Sequence, residues 1–146
     1  MKFYTMLLLA GNLCFSSCNA RQEAGQQQTK TPNATPKQNT MDLSKINDET
    51  VKQAISALQN GDKVWYTYFT ENPVMTDDGN TIDFKNFFEK ALGTEHFISI
   101  DKVENEGRDI YGNFKAGQWG TFKVFFKFHK NESGKFDRLD IGQAKY

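Results

Sequence analysis

The chain has 146 residues, room for one domain of ordinary size and little more. Eighteen Lys+Arg offset 18 Asp+Glu, so no basic surplus exists to neutralise phosphates, which argues against nucleic-acid binding. Hydrophobic residues make up 38%, too few for a multispan membrane protein, and 13 Phe are more than a disordered chain carries.

Met1-Lys2 opens a short polar start, and Phe3 to Phe15 is apolar apart from Thr5 and Asn12. That run is too short to span a bilayer but suits the core of a signal peptide. It closes on Phe15-Ser16-Ser17-Cys18, small residues followed by a cysteine. The stretch resembles a bacterial lipoprotein signal. The resemblance implies cleavage before Cys18 and acylation of Cys18, with palmitate among the chains, as the membrane anchor. Asn19, rather than Asp, follows the cysteine, which by the same resemblance implies an outer-membrane destination. Ala20-Arg21-Gln22-Glu23 lacks the acidic cluster of some surface-exported lipoproteins, which implies the periplasmic side. An ordinary secretory signal with an incidental cysteine is the alternative. Beyond Cys18 the chain has no thiol, hence no disulfide, no cysteine-bound metal and no cysteine nucleophile.

Residues 19–40 hold five Gln together with Pro32 and Pro36, and scarcely an apolar side chain. Such a segment is expected to act as a tether, spanning on the order of 25 Å as a coil. The division expected is a signal peptide over 1–17, a lipidated tether over 18–40, and one domain over 41–146. That domain is mildly acidic, with 14 Lys+Arg against 17 Asp+Glu.

Within it, Val51, Ala54, Ile55 and Leu58 share a helical face, and Asn60-Gly61 supplies the stop. Asp62 is placed to cap a second, short helix carrying Val64, Trp65, Tyr68 and Phe69 on one side. Pro73 to Thr76 reads as a short strand running into the turn Asp77-Asp78-Gly79. Phe84, Phe87, Phe88, Ala91 and Leu92 follow helical spacing between Asp83 and Gly93, the clearest third helix. The period then changes to two. Ile98 and Ile100 alternate with polar residues, Ile110 to Phe114 forms the next strand, and Phe122, Val124, Phe126 and Phe128 share one face. Leu139 and Ile141 belong to the last strand, after the turn at Asn131 to Gly134. Helices first and an antiparallel meander after them give an α+β fold, with about three helices on one face of a curved sheet.

Gly61-Asp62-Lys63-Val64-Trp65, the stretch Phe69 to Val74, the Asp77-Asp78-Gly79 turn, Trp119 to Phe122 and Gly134 to Ala144 resemble, in this order, the nuclear transport factor 2-like superfamily with its bacterial SnoaL-like members. The resemblance implies a cone-shaped fold, a pocket between the helices and a concave antiparallel sheet, and an outer sheet face that makes a homodimer in many members. Its members range from isomerases and cyclases to proteins with no known activity, so function has to be argued from the site.

For an enzyme of that kind, Asp77 or Asp78 falls where a general base follows the first strand; Asp77 is the better candidate. The first helix offers no tyrosine to accompany it. Trp65, Tyr68 and Trp119 have the amphipathic rings that line pocket mouths, and His96 has the strand parity of Ile98 and Ile100. The ligand-binding candidates are therefore Trp65, Tyr68, Asp77, His96 and Trp119. His96 and His129 lack metal-ligand spacing, so neither a metal nor another cofactor is expected. The favoured function is a lipid-anchored envelope protein binding a small molecule or partner without catalysis. One alternative is a small isomerase, cyclase or dehydratase with Asp77 as base. Another is a dimeric subunit of an envelope complex, with Phe125, between Lys123 and Lys127, on the face a partner would cover.

Overall fold

The capping logic of the sequence is kept in the computed structural model, which describes residues 41–146; the expected signal peptide, Cys18 and the expected tether lie outside the described residues. Asp48 accepts from the Val51 backbone N–H at 3.1 Å and starts α1, Glu49–Asn60. Gly61, at a φ of 64°, ends it: its N–H reaches Leu58 O, and the Asp62 N–H reaches Ala57 O at 2.9 Å. Those two bonds satisfy carbonyls the helix itself leaves open. Val51, Ala54, Ile55 and Leu58 are all fully buried.

Asp62 does cap a helical segment, but Lys63–Tyr68 is a 3-10 stretch rather than an α-helix. With three residues per turn, Trp65 and Tyr68 fall on one edge, while Val64 turns outward and is 40% exposed. Phe69 belongs to β1, Phe69–Asp77, which is longer than the strand expected from Pro73 to Thr76. A hairpin then leads to β2, Asn80–Ile82. Its central residues Asp78 and Gly79 both have positive φ, 46° and 85°, as the tight turns that match strand twist require. Asp83 accepts from the Asn86 N–H at 2.6 Å and caps α2, Phe84–Ala91.

The remaining strands are β3, His96–Glu104; β4, Asp109–Lys115; β5, Thr121–Lys130; and β6, Phe136–Gln143. The sheet runs in the order β2-β1-β6-β5-β4-β3. The expected antiparallel meander holds from β3 to β6. β1 lies parallel to β6, because the chain leaves β2 through α2 and re-enters at the opposite edge. β3 shifts register twice, between Phe97 and Ser99 and between Ile100 and Lys102. These bulges place Phe97 and Ile100 inside and leave Ile98 53% exposed, so the inward parity expected for Ile98 is corrected. Opposite the bulge stands Gly112, where a Cβ would collide with the Ser99 carbonyl.

Two aromatic groups fill the core. Trp65 packs on Phe69 and Phe88 with ring centroids 4.8 and 4.7 Å apart, and Phe128 and Phe136 continue that group at 4.9 Å. Phe97, Phe114 and Phe126 form the second, at 4.9 to 5.2 Å. On the other face of the sheet Lys102, Lys123 and Lys127 lie over Tyr111, Tyr146 and Phe125, so Phe125 is half-buried rather than bare. Asp140 gathers Thr76, His129 and Arg138 on that same face. Among the described residues no helix is long and apolar enough to cross a membrane.

Candidate functional site

The inward residues of β5 change character along the strand. Phe128 and Phe126 are sealed, Val124 is half-buried, and Phe122 is 39% exposed. The helices cover only part of the concave face, and α2 stops at Ala91. Beyond it a cavity of about 290 Å³ opens, walled by Phe87, Phe114, Phe122, Val124, Phe126 and Ile141. A second hollow of about 390 Å³ shares Asp77, Phe87, Glu95 and Trp119 with the first and runs along α2 to Asn86 and Lys90. A larger groove lies on another face of α2. Lys63, Lys85 and Glu89 line it together with Tyr66, Phe88 and Leu92, and it shares no lining residue with the two hollows.

Two carboxylates enter this apolar space. Asp77 ends β1 in register with Ile141, on the same side as buried Met75. Burial, with Asp78 beside it, holds its carboxyl above the usual carboxylate range. Glu95 comes from the short link between α2 and β3, and burial raises it as well. Neither carboxylate has a hydrogen bond or ion pair from a side chain among the described residues. Asp78, also at the rim, is engaged elsewhere. It accepts the Gln143 N–H at 2.8 Å while its own N–H reaches Ile141 O, so it pins the hairpin to β6.

Of the residues singled out from sequence, the structure brings Asp77 and Trp119 together. Trp119 sits at the mouth on the 3-10 turn Gly117–Trp119 and is 75% exposed. Trp65 has no exposure at all and lies in the core among Phe69, Phe84, Phe88 and Phe128, its indole N–H without a partner among the described residues. Tyr68 is half-buried at the end of the 3-10 stretch and lines neither hollow. His96 is half-buried at the start of β3, paired with Lys115, and also stands outside the lining. The bulge that moves Ile98 outward separates His96 from the parity assigned to it. Glu95 is the lining carboxylate the sequence did not single out, and Phe87, read there as part of a helix core face, lines both hollows. Glu95 lies two positions before buried Phe97, a relation visible only once Phe97 is known to point inward. Among the described residues no group of three His, Cys, Asp or Glu is arranged to hold a metal.

No protein-family model and no curated protein matches the sequence. Solved structures do match the fold. A SnoaL-like protein of unknown function from Burkholderia thailandensis superposes with a TM-score of 0.51 at 12% identity, over 68% of this chain and 98% of that one. The fold is of the SnoaL-like, nuclear transport factor 2-like kind. The epoxide hydrolase/cyclase-like enzyme SalBIII, described as acting in pyran ring formation in salinomycin, gives 0.51 at 14% identity, over 67% of this chain and 90% of that one. The Anabaena orange carotenoid protein, solved binding canthaxanthin, gives 0.53 at 16% identity over 76% of this chain and 41% of that one. The same architecture thus occurs in an enzyme-like protein and within a protein solved binding a pigment, and fold alone does not choose between such uses.

Proposed function

We propose that the domain binds a small, largely apolar molecule in the cavity between α2 and the sheet and performs no chemistry on it. In this proposal the domain is held at the bacterial outer membrane, on the periplasmic side, by lipid on Cys18. The observation that carries the binding proposal is the pairing of an apolar, aromatic wall with two inward carboxylates that no side chain answers. Proton transfer needs a fixed donor for the charge that develops on the substrate. The N–H donors among the lining side chains are the Gln143 carboxamide and the Trp119 indole, and no hydrogen bond among the described residues fixes either.

Native mass spectrometry of the mature protein, extracted from its own membrane, tests this. A bound small molecule is expected, and Phe122→Arg should lose it. A protein free of any bound mass, whose melting temperature no small-molecule library moves, would overturn the proposal. The raised Asp77 carboxyl favours the enzymatic alternative, an isomerase, cyclase or dehydratase with Asp77 as base. On that alternative Asp77→Asn abolishes turnover of the captured molecule while leaving it bound.

A further inference from the structure

The distribution of charge around the cavity is uneven. Two half-buried carboxylates elsewhere in the domain have a cation beside them: Lys130 bonds Asp48 at 2.7 Å, and Arg138 holds Asp140 at 2.9 Å. The inner hollow has Asp77, Asp78 and Glu95 on its lining and no Lys, Arg or His. Along the outer hollow the one cation among the lining residues is Lys90, exposed near the end of α2 and making no ion pair with either carboxylate. Asp83, also on that side, is occupied with the cap of α2.

Resting on the binding role proposed above, we infer that the cavity takes an organic cation: a protonated primary or secondary amine on an apolar body. The ammonium donates to the carboxylates of Asp77 and Glu95, and the body lies against Phe114, Phe122 and Phe126. Two physical reasons exclude the other ligand charges, and a third favours the cation. An anion would enter a space already lined by Asp77, Asp78 and Glu95. A neutral hydrocarbon would strip water from two carboxylates and return nothing to them. A cation answers the carboxylates with charge-assisted hydrogen bonds and gains from the ring faces of Trp119 and Phe87 beside them.

The test uses the full mature chain in detergent and three probes of matched shape: 4-phenylbutylamine, 4-phenylbutanol and 4-phenylbutyrate, titrated calorimetrically at neutral pH. The amine is expected to bind at least about tenfold tighter than the alcohol, and the carboxylate not to bind. Asp77→Asn and Glu95→Gln, nearly isosteric and at half-buried positions, should each weaken the amine about tenfold and leave the alcohol within about twofold. Melting curves of both variants confirm that they fold. Equal binding of amine and alcohol overturns the cation while leaving the cavity as a binding site. So does a preference for the amine that survives in the Asp77→Asn, Glu95→Gln double variant. Tighter binding of the butyrate overturns the cation outright. If none of the three probes binds and neutral Nile red gives no signal that Phe122→Arg removes, the binding role falls together with the cation.

Discussion

The side-chain amide of Gln59 makes both backbone hydrogen bonds of Phe97: Nε2 donates to the Phe97 carbonyl at 3.0 Å, and Oε1 accepts the Phe97 N–H at 2.7 Å. Phe97 lies on β3, the edge of the sheet, where no further strand would meet those groups. One helical side chain therefore stands in for a strand. Lys45 adds a third contact further along, donating to the Ile100 carbonyl at 2.9 Å. Gln59→Ala leaves the N–H of a fully buried residue without its partner, which costs about 1–3 kcal/mol. Urea denaturation should show this loss. Gln59→Glu, which keeps an acceptor and loses the donor, is expected to fall between wild type and alanine.

Phe88 is fully buried, with ring centroids 4.7 Å from Trp65 and 5.0 Å from both Phe84 and Phe87. Phe88→Ala should cost about 3–5 kcal/mol, a large share of what holds such a domain together. Lys85→Ala, one turn away on the exposed side of α2, should change stability by no more than about 0.5 kcal/mol. Thermal melts of the two variants, compared directly, read the orientation of α2.

Much of this was legible in the sequence where the cause is local. Asp62 and Asp83 stand immediately before apolar periodicity and cap the segments that follow them, and Gly61 ends α1 where the Asn60-Gly61 stop is expected. What was not legible depends on a neighbour in space. Nothing within His96 to Ile100 announces a bulge, because the register of β3 is set by β4, where Gly112 lets the Ser99 carbonyl approach. Reversal of parity there turned Ile98 outward and concealed Glu95. The role of Trp65 was ambiguous for a related reason: an amphipathic ring fits a core and a pocket mouth equally well until its surroundings are known.

Gly112→Ala should therefore destabilise by about 1–3 kcal/mol, since the intruding carbon meets backbone that has no rotamer to yield. Gly134→Ala provides a contrast of different origin. Space around Gly134 is open, but its φ is 80°, so its cost of about 1–2 kcal/mol comes from conformation alone. Asn at position 134, which tolerates the left-handed region, should recover part of the second loss; Gly112→Asn should recover none of the first. Denaturant midpoints of the four variants distinguish crowding from backbone strain.

Stability against pH has contributions of opposite sign. Burial works against the Asp140 charge, but hydrogen bonds from Thr76, Arg138 and His129 prevail and lower its carboxyl. The same balance, with Lys130 and the Val51 N–H as donors, lowers Asp48. These two contribute stability above the ordinary carboxylate pKa and lose it as pH falls through their folded values. Asp77 and Glu95 are raised, so their contribution is most favourable in acid and declines as pH climbs from the ordinary carboxylate value through the raised one. Asp140→Asn should flatten the acid limb of the stability curve. Asp77→Asn and Glu95→Gln should stabilise at neutral pH, with the gain vanishing in acid, below the ordinary carboxylate value.

The proposed anchoring through Cys18 has a chemical readout. Cells supplied with an alkyne fatty acid should label the wild-type protein, and Cys18→Ala should carry no label and leave the membrane fraction. A labelled alanine variant, or an unlabelled wild type, counts against acylation at that residue.

The chain has two tryptophans, and the fold sets them in opposite surroundings: Trp65 has no exposure and Trp119 has 75%. Their emission therefore separates into two optical channels. Trp65 should fluoresce at short wavelength, resist iodide, and shift only when the aromatic core comes apart. Trp119 should emit further to the red, quench readily, and respond to whatever occupies the hollow beside it. Without any attached dye, one excitation beam can follow unfolding and occupancy in the same cuvette, and Trp119→Phe removes the second signal to leave the first.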